Sequence, residues 1–112
     1  VAGGREFRDY GLLKERLNHF LQHYTTVEIV SGGAKGADAL GERYAKEKGF
    51  PVKLFPADWN THGKKAGPLR NTQMAQYADA CIVFWDGKSR GTQDMINQAK
   101  SHQLPLRVVH YA

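Results

Sequence analysis

The sequence has few of the features that mark secreted, membrane or disordered proteins. Its 112 residues include one cysteine, Cys81, and four prolines. A single cysteine excludes an intrachain disulfide framework and favours a reducing compartment. The sequence shows no signal peptide and no apolar run near the roughly eighteen residues that a membrane-spanning helix needs. We therefore expect a cytoplasmic protein that does not enter the membrane.

Charge of one sign is not concentrated anywhere in the chain. Sixteen Lys and Arg residues against eleven Asp and Glu give a net charge of +5. This excess favours anionic partners in general, but without a run of five like charges it does not require a nucleic-acid groove. Hydrophobic residues make up 41% of the chain, which predicts a packed core and argues against disorder. The length suits one domain spanning residues 1–112.

Apolar segments alternate with helical patterns along the chain. The predicted strands are 1–2, 27–30, 52–55, 80–85 and 106–111, and the predicted helices are about 9–23, 37–48, 69–77 and 92–103. Because the chain opens inside the end of a strand pattern, we expect the first strand to be truncated at its amino end. The alternation predicts an α/β class: a three-layer Rossmann-like fold with a five-stranded parallel sheet in the order 3-2-1-4-5.

In such a sheet, ligands bind beyond the carboxyl ends of the strands, where the strand order reverses. Glycine-rich turns follow predicted strands 1, 2 and 4, and the helix starts after them can expose unpaired N–H groups to an anion. The candidate ligand-binding residues in these turns are Gly3, Gly4, Arg5, Ser31, Gly32, Gly33, Gly36, Asp38, Asp86, Gly87, Ser89, Gly91 and Thr92. The turns predict a shared crevice.

Several of these residues also have ordinary structural interpretations. The turn 31–38 lacks the first glycine of a dinucleotide fingerprint and is not a Walker loop, so a tight turn with close packing is the alternative. Asp38 lies in the first turn of its helix, where its carboxylate either complements the helix dipole or contacts a hydroxyl group of a ligand. Asp86 either forms an Asx-turn with its own backbone or accepts a hydrogen bond from a ribose. Ser89 or Thr92 can cap a helix and contact an anion as well.

Two arginines and several residues outside the three turns also indicate a ligand site at the crevice. The guanidinium groups of Arg5 and Arg70 have a geometry that suits binding to phosphate, although arginines more often form surface ion pairs. Asn71 adjoins Arg70. The irregular segment 58–67 is expected to reach over the crevice. Trp85 is either core or a stacking surface for a base. We predict no metal site and no cofactor, because Asp58 and His62 have no further ligands nearby.

Five blocks of sequence together resemble a known family. They are Gly3-Gly4-Arg5-Glu6-Phe7, Val30 to Asp38, Phe55-Pro56-Ala57-Asp58-Trp59, Ala66-Gly67-Pro68-Leu69-Arg70-Asn71 and Trp85 to Thr92. The blocks resemble the YspA-like, cpYpsA-related branch of the SLOG superfamily, named after Smf/DprA and the Lonely Guy enzymes. The resemblance implies a Rossmann-like domain that binds a nucleotide or nucleotide-derived ligand, with a homodimer as one arrangement.

Two relatives within the superfamily imply different activities. Arg70-Asn71-Thr72-Gln73-Met74 and Gly91-Thr92 are similar to segments of the Lonely Guy phosphoribohydrolases, but Met95 stands where their catalytic glutamate is expected. A methionine cannot act as an acid or base, so catalysis would need Arg70 with Asp94 or Asp86. Ser31 to Asp38 is similar to the corresponding segment of DprA, which binds single-stranded DNA.

These observations give one leading hypothesis and two alternatives. The leading hypothesis is binding of a nucleotide or an ADP-ribose- or NAD-derived ligand. Its phosphate lies on the helix N-termini after strands 2 and 4, Arg5 and Arg70 clamp it, and Asp38 or Asp86 contacts the ribose. The first alternative is hydrolysis of a nucleoside monophosphate, and the second is binding of single-stranded DNA.

Overall fold

The computed structural model describes residues 1–111. The strands are β1 (Ala2–Gly3), β2 (Ile29–Ser31), β3 (Val52–Leu54), β4 (Cys81–Trp85) and β5 (Leu106–His110). The helices are α1 (Tyr10–Phe20), α2 (Ala37–Lys48), α3 (Trp59–His62), α4 (Ala66–Tyr77) and α5 (Arg90–Ser101), with a 3-10 turn at Gly63–Lys65. The predicted alternation of strands and helices, and hence the α/β class, is confirmed.

All strand pairs in the described part of the chain are parallel, but they form two sheets instead of one. One sheet has the order β1-β4-β5 and the other pairs β2 with β3, so the prediction of a single five-stranded sheet is wrong. β1 pairs with β4 through only two residues, and among the described residues it forms no ladder with β2. The nitrogen of Val1 donates to the carbonyl oxygen of Val30 at 3.0 Å, which brings β1 beside β2.

Strand β4 is buried on both faces and divides the core in two. Ile82 and Phe84 belong to a cluster with Leu13, Leu17 and Tyr44, which come from α1 and α2. Cys81 and Val83 belong to a second cluster with Met74, Met95, Ile96 and Ala99, which come from α4 and α5. Since successive side chains of a strand point to opposite faces, β4 is covered by helices on both sides. This arrangement matches the predicted three layers.

The helix ends follow the expected capping chemistry. Asp9 caps α1 by accepting from the Leu12 nitrogen at 3.0 Å. Gly49 ends α2 with a left-handed backbone at φ 75° and ψ 22°. Ser89 caps α5, so that helix begins two residues before the predicted start at Thr92. Glycine suits the left-handed position because it has no Cβ to clash there.

The segment 58–67 is more regular than the sequence predicts. Asp58 accepts from the Thr61 nitrogen at 3.1 Å and starts the four-residue helix α3. Helix α4 then begins at Ala66, three residues before its predicted start at Leu69. Pro68 lies in the first turn of α4, where a missing N–H removes no helical hydrogen bond. This segment brings Trp59 next to the amino end of α4.

β3 is the uncovered edge of the smaller sheet. The Val52 and Leu54 side chains of β3 are both exposed, whereas the sequence predicts a sheet covered on both faces. The strand contacts β2 on one side, with Val52, Lys53 and Leu54 opposite Ile29, Val30 and Ser31. Within residues 1–111, no helix combines the length and the apolar character that crossing a membrane demands.

Candidate functional site

A cleft of about 530 Å³ opens beyond the carboxyl ends of β1 and β4. Its walls come from the turn after β1, the start of α4 and the turn that leads into α5. The predicted site residues that line it are Gly3, Gly4, Arg5, Asp38, Arg70, Asn71, Asp86, Ser89, Gly91, Thr92 and Asp94. The fold thus brings residues from four separate parts of the chain to one cleft.

Five predicted site residues are not among those that line the cleft. They are Ser31, Gly32, Gly33, Gly36 and Gly87. Ser31 is fully buried, and its hydroxyl donates to Glu42 Oε2 at 2.7 Å and accepts from the Gly33 nitrogen at 3.1 Å. Ser31 therefore stabilises the turn from within, and its partner Glu42 is a residue that no sequence motif indicated.

Gly36 fixes the turn after β2 against the turn after β1. Its φ is +75°, and a Cβ there would overlap the Gly4 carbonyl oxygen and the backbone of Arg5. The nitrogen of Ala37, the first residue of α2, donates to that same Gly4 oxygen at 3.2 Å. The β1 turn therefore covers the amino end of α2, where the sequence predicts phosphate contacts.

The amino end of α5 is more open to the cleft. Ser89 Oγ accepts from the Thr92 nitrogen at 3.4 Å and from Thr92 Oγ1 at 3.2 Å. This cap leaves the N–H groups of Arg90 and Gly91 without an acceptor inside the helix. Because unpaired N–H groups and the helix dipole favour negative charge, this helix start has the chemistry of an anion site.

Asp86 shapes the turn that precedes α5. Its Oδ1 accepts from the backbone nitrogens of Lys88 at 2.8 Å and Ser89 at 2.9 Å. These two hydrogen bonds lower the pKa of the Asp86 carboxyl, which keeps it ionised. The geometry is the Asx-turn that the sequence left as an alternative to ribose contact. The second carboxylate oxygen has no such backbone bond in the described part of the chain.

A chain of polar contacts crosses the cleft from α4 to α5. Arg70 Nε donates to Asn71 Oδ1 at 3.0 Å, and Asn71 Nδ2 donates to Asp94 Oδ2 at 3.0 Å and to the Gly91 carbonyl oxygen at 3.2 Å. Arg70 Nη1 also donates to the Gly32 carbonyl oxygen at 2.8 Å. The buried Asn71 amide thus fixes both the arginine and the aspartate at the cleft.

Asp38 is a buried carboxyl group at the edge of the same network. Its side chain is 5% exposed, and its Oδ2 accepts from the Ala34 nitrogen at 3.2 Å. Burial raises the pKa of Asp38, against the opposing effects of the amino-terminal charge, the Ala34 hydrogen bond and Arg70. Burial also lowers the pKa of Arg70, which Asp38 opposes, although a guanidinium keeps its proton in proteins. Asp38 and Arg70 together therefore offer the cleft one guanidinium cation, and the Asp38 carboxyl balances part of its positive charge.

Sequence reasoning left out several residues that line the cleft. Trp59, Arg90 and Tyr111 contribute an exposed indole, a further cation and a phenol ring. Trp59 had a visible signal, since it lies in the segment 58–67 that the sequence predicts to reach over the crevice. Tyr111 gave no signal, because its position beside Gly4 depends on where β5 ends. Trp85 instead packs on His110 and donates from Nε1 to the Ser89 carbonyl oxygen at 3.1 Å.

The fold and the cleft define an α/β protein with a polar, cation-bearing cleft at the carboxyl ends of parallel strands. Residues 1–62 match the model of the YspA, cpYpsA-related SLOG family. The chain is also similar to the Gene 61 protein of Mycobacterium phage D29, with 43% identity over 114 residues, 95% of this chain and 90% of the relative. The chain belongs to the YspA, cpYpsA-related SLOG family, as the sequence blocks predicted.

The family match and the cleft overlap only in part. The matched residues 1–62 include the first two glycine turns and Trp59, whereas Arg70, Asn71 and the turn before α5 lie beyond them. The similarity to the phage protein extends over nearly the whole chain. No solved structure matches the chain in the comparison with known structures. Membership of the SLOG family suggests a nucleotide-related function.

Proposed function

We propose that this protein binds a nucleotide, or an ADP-ribose- or NAD-derived ligand, in the cleft beyond β1 and β4. The observation that carries the proposal is the meeting of the open α5 helix start with Arg5, Arg70 and Arg90 in one cleft. A phosphate group is the common anion that suits both unpaired backbone N–H groups and guanidinium forks.

The phosphate belongs at α5 in this proposal, and not at α2. The N–H groups of Arg90 and Gly91 are open there, whereas the first N–H of α2 already donates to Gly4. Arg5 is exposed at the cleft and can adjust to the anion, while Arg70 is held by Gly32 and Asn71. One mobile and one fixed cation would then flank the phosphate.

The same cleft contains carboxylate groups that can accept hydrogen bonds from the sugar of the ligand. Asp86 uses one carboxylate oxygen for its backbone turn, so the other oxygen can accept from a ribose hydroxyl. Asp94 lines the cleft as well and already accepts from Asn71. Asp38 is a weaker candidate for this role, because it is 5% exposed and its Oδ2 is engaged by Ala34.

Binding is tested with purified protein and a panel of nucleoside monophosphates, ADP-ribose and NAD. At least one nucleotide should raise the melting temperature, and calorimetry should give one site per chain. Replacing Arg5 with alanine should weaken that ligand about tenfold or more, because a hydrogen bond to a charged group contributes about 1.5–3 kcal/mol. Arg16→Ala is the matched control, since Arg16 lies on α1 and pairs with Glu15 outside the cleft. Absence of stabilisation by every nucleotide would reject the proposal.

One contact favours a second candidate function, hydrolysis of a nucleoside monophosphate. The Asp94 carboxylate lines the cleft and is oriented by Asn71, whereas Met95 is 3% exposed and packs in the core beside Met74. In this reaction, water adds to C1′ as the N-glycosidic bond breaks, giving ribose 5-phosphate and free base. Asp94 would stabilise positive charge on the sugar or accept the proton of water.

The two functions are separated by product analysis. Each nucleoside monophosphate is incubated with the protein, and free base is measured by chromatography. Release of base that disappears in Asp94→Asn, a variant that keeps an oxygen for Asn71, would establish hydrolysis. Unchanged nucleotide together with thermal stabilisation would leave binding alone. Arg16→Ala again serves as the control that should retain whatever activity is found.

A further inference from the structure

The two tryptophans of the chain have different surroundings. Trp85 donates its indole N–H to the Ser89 carbonyl oxygen and packs on His110, with ring centroids 5.7 Å apart. Trp59 lines the cleft and is 50% exposed. Trp59 therefore presents to the cleft an aromatic surface that is not used in core packing.

The position of Trp59 is held by its neighbours. Asp58 caps the short helix α3 through the Thr61 nitrogen, and hydrogen bonds from Thr61 lower the pKa of the Asp58 carboxyl. The indole lies against the buried Gly67 of α4, where a Cβ would be 3.4 Å from Trp59 Cη2. Glycine at 67 thus lets the indole approach the backbone of α4 while half of its surface remains exposed.

The same cleft also contains the cations of the proposed phosphate site. Arg5, Arg70 and Arg90 line it together with Trp59, and the α5 helix start contributes backbone N–H groups. A ligand that satisfies both parts has an anionic group and a flat aromatic group in one molecule. A nucleotide has this combination, whereas ribose 5-phosphate and inorganic phosphate lack the aromatic part.

We propose that the indole of Trp59 stacks on the base of the bound nucleotide and so makes the cleft selective for ligands that carry a base. This inference rests on the proposed function and adds the residue that recognises the base. Stacking is tolerant of base identity because every base has a π-face. Trp59 therefore distinguishes nucleotides from sugar phosphates more strongly than it distinguishes one base from another.

The test compares AMP, GMP, CMP, UMP and ribose 5-phosphate by calorimetry on three proteins. The unaltered protein should bind the tightest nucleotide roughly 5- to 150-fold better than ribose 5-phosphate, the range expected for one stacked base. Trp59→Ala should lose this preference and bind ribose 5-phosphate as before. Leu69→Ala is the matched control, because Leu69 is an exposed apolar residue of α4 that does not line the cleft. It should keep the preference.

Fluorescence gives an independent measurement. Trp85→Phe leaves Trp59 as the one tryptophan, and nucleotide should quench its emission, whereas ribose 5-phosphate should not. Equal affinity for nucleotide and ribose 5-phosphate in the unaltered protein would overturn the inference and leave phosphate binding intact. A preference for nucleotide that survives in Trp59→Ala would overturn it as well, because the base would then be recognised elsewhere. Binding of neither ligand would reject the proposed function itself.

Discussion

Asn71 Nδ2 lies 3.0 Å from Asp94 Oδ2, so one buried amide joins α4 to α5 at the cleft. The same nitrogen donates to the Gly91 carbonyl oxygen, and the amide oxygen accepts from Arg70 Nε. An amide is suited to this position because it both donates and accepts. Neither a carboxylate nor an apolar side chain could make all three contacts.

Replacing Asn71 with leucine should lower the free energy of unfolding by about 1–3 kcal/mol, because buried polar partners lose their hydrogen bonds. Urea denaturation measures the change. Asn97→Ala is the control on α5, where Asn97 is exposed and contacts only Gln93 through its side chain among the described residues. It should change stability by less than about 0.5 kcal/mol. Equal midpoints for the two variants would contradict the structural role of Asn71.

Gly36 and Gly33 have similar φ angles but different surroundings, so replacing each with alanine tests the contact between the two turns. Both have positive φ, at +75° and +74°, but a Cβ at Gly36 would overlap Gly4 and Arg5, whereas Gly33 has open space within 4 Å. Gly33→Ala should cost about 1–2 kcal/mol of stability from the backbone conformation alone. Gly36→Ala should cost clearly more, because the β1 turn must also move. Similar unfolding midpoints would show that the close contact between the two turns is unimportant.

Ser89 and Asp9 both cap helices with their side chains, so a comparison of their alanine variants distinguishes an effect on stability from an effect on ligand binding. Each accepts from a backbone nitrogen of its helix, at 3.4 Å and 3.0 Å respectively, but only Ser89 lines the cleft. Ser89→Ala and Asp9→Ala should each lower stability by about 0.5–2 kcal/mol. The nucleotide affinity should fall in Ser89→Ala and stay unchanged in Asp9→Ala. Calorimetry at a temperature where both variants are folded provides the comparison.

Asp38 gives a prediction about pH. Burial raises the pKa of its carboxyl in the folded protein above the value 3.8 of an unperturbed aspartate, so the folded state binds this proton more tightly. Its contribution to stability is therefore fully present below pH 3.8 and is lost as the pH rises through the folded pKa. Asp38→Asn should gain stability relative to the unaltered protein at pH 7, and this gain should shrink towards pH 4.

Denaturant unfolding at several pH values checks the prediction for Asp38. The backbone of Gly32 lies close to both charged side chains, since a Cβ there would overlap Arg70 Nη1 and lie 2.9 Å from Asp38 Oδ2. The asparagine can still accept from the Ala34 nitrogen, so the hydrogen bond of the carboxyl is retained. A loss of stability in Asp38→Asn at pH 7 that shrinks towards pH 4 would mean that the amino terminus, the Ala34 hydrogen bond and Arg70, which lower this pKa, together outweigh burial.

The sequence by itself determined the order of strands and helices, because hydrophobic runs, glycine turns and capping residues are local signals. Asp9 and Gly49 have the chemistry of helix ends, and the structure has them there, whereas Ser89 and Thr92 were alternative caps and the structure places the cap at Ser89. The sequence also pointed to the carboxyl ends of the strands, since glycine-rich turns follow strands 1, 2 and 4. The family followed from short blocks of residues, and the match to residues 1–62 confirms it.

Only the tertiary structure decided how these turns meet. The sheet divides between β1 and β2, which are joined by the hydrogen bond from the Val1 nitrogen to Val30 without forming a ladder, and pairing is not a local property. The β1 turn covers the start of α2 but leaves the start of α5 open, which depends on the contact between Gly4 and Gly36. Trp59 lines the cleft and Trp85 packs beside His110, although the sequence offered Trp85 as the stacking surface for a base. Such distinctions require distances between residues that are far apart in the chain.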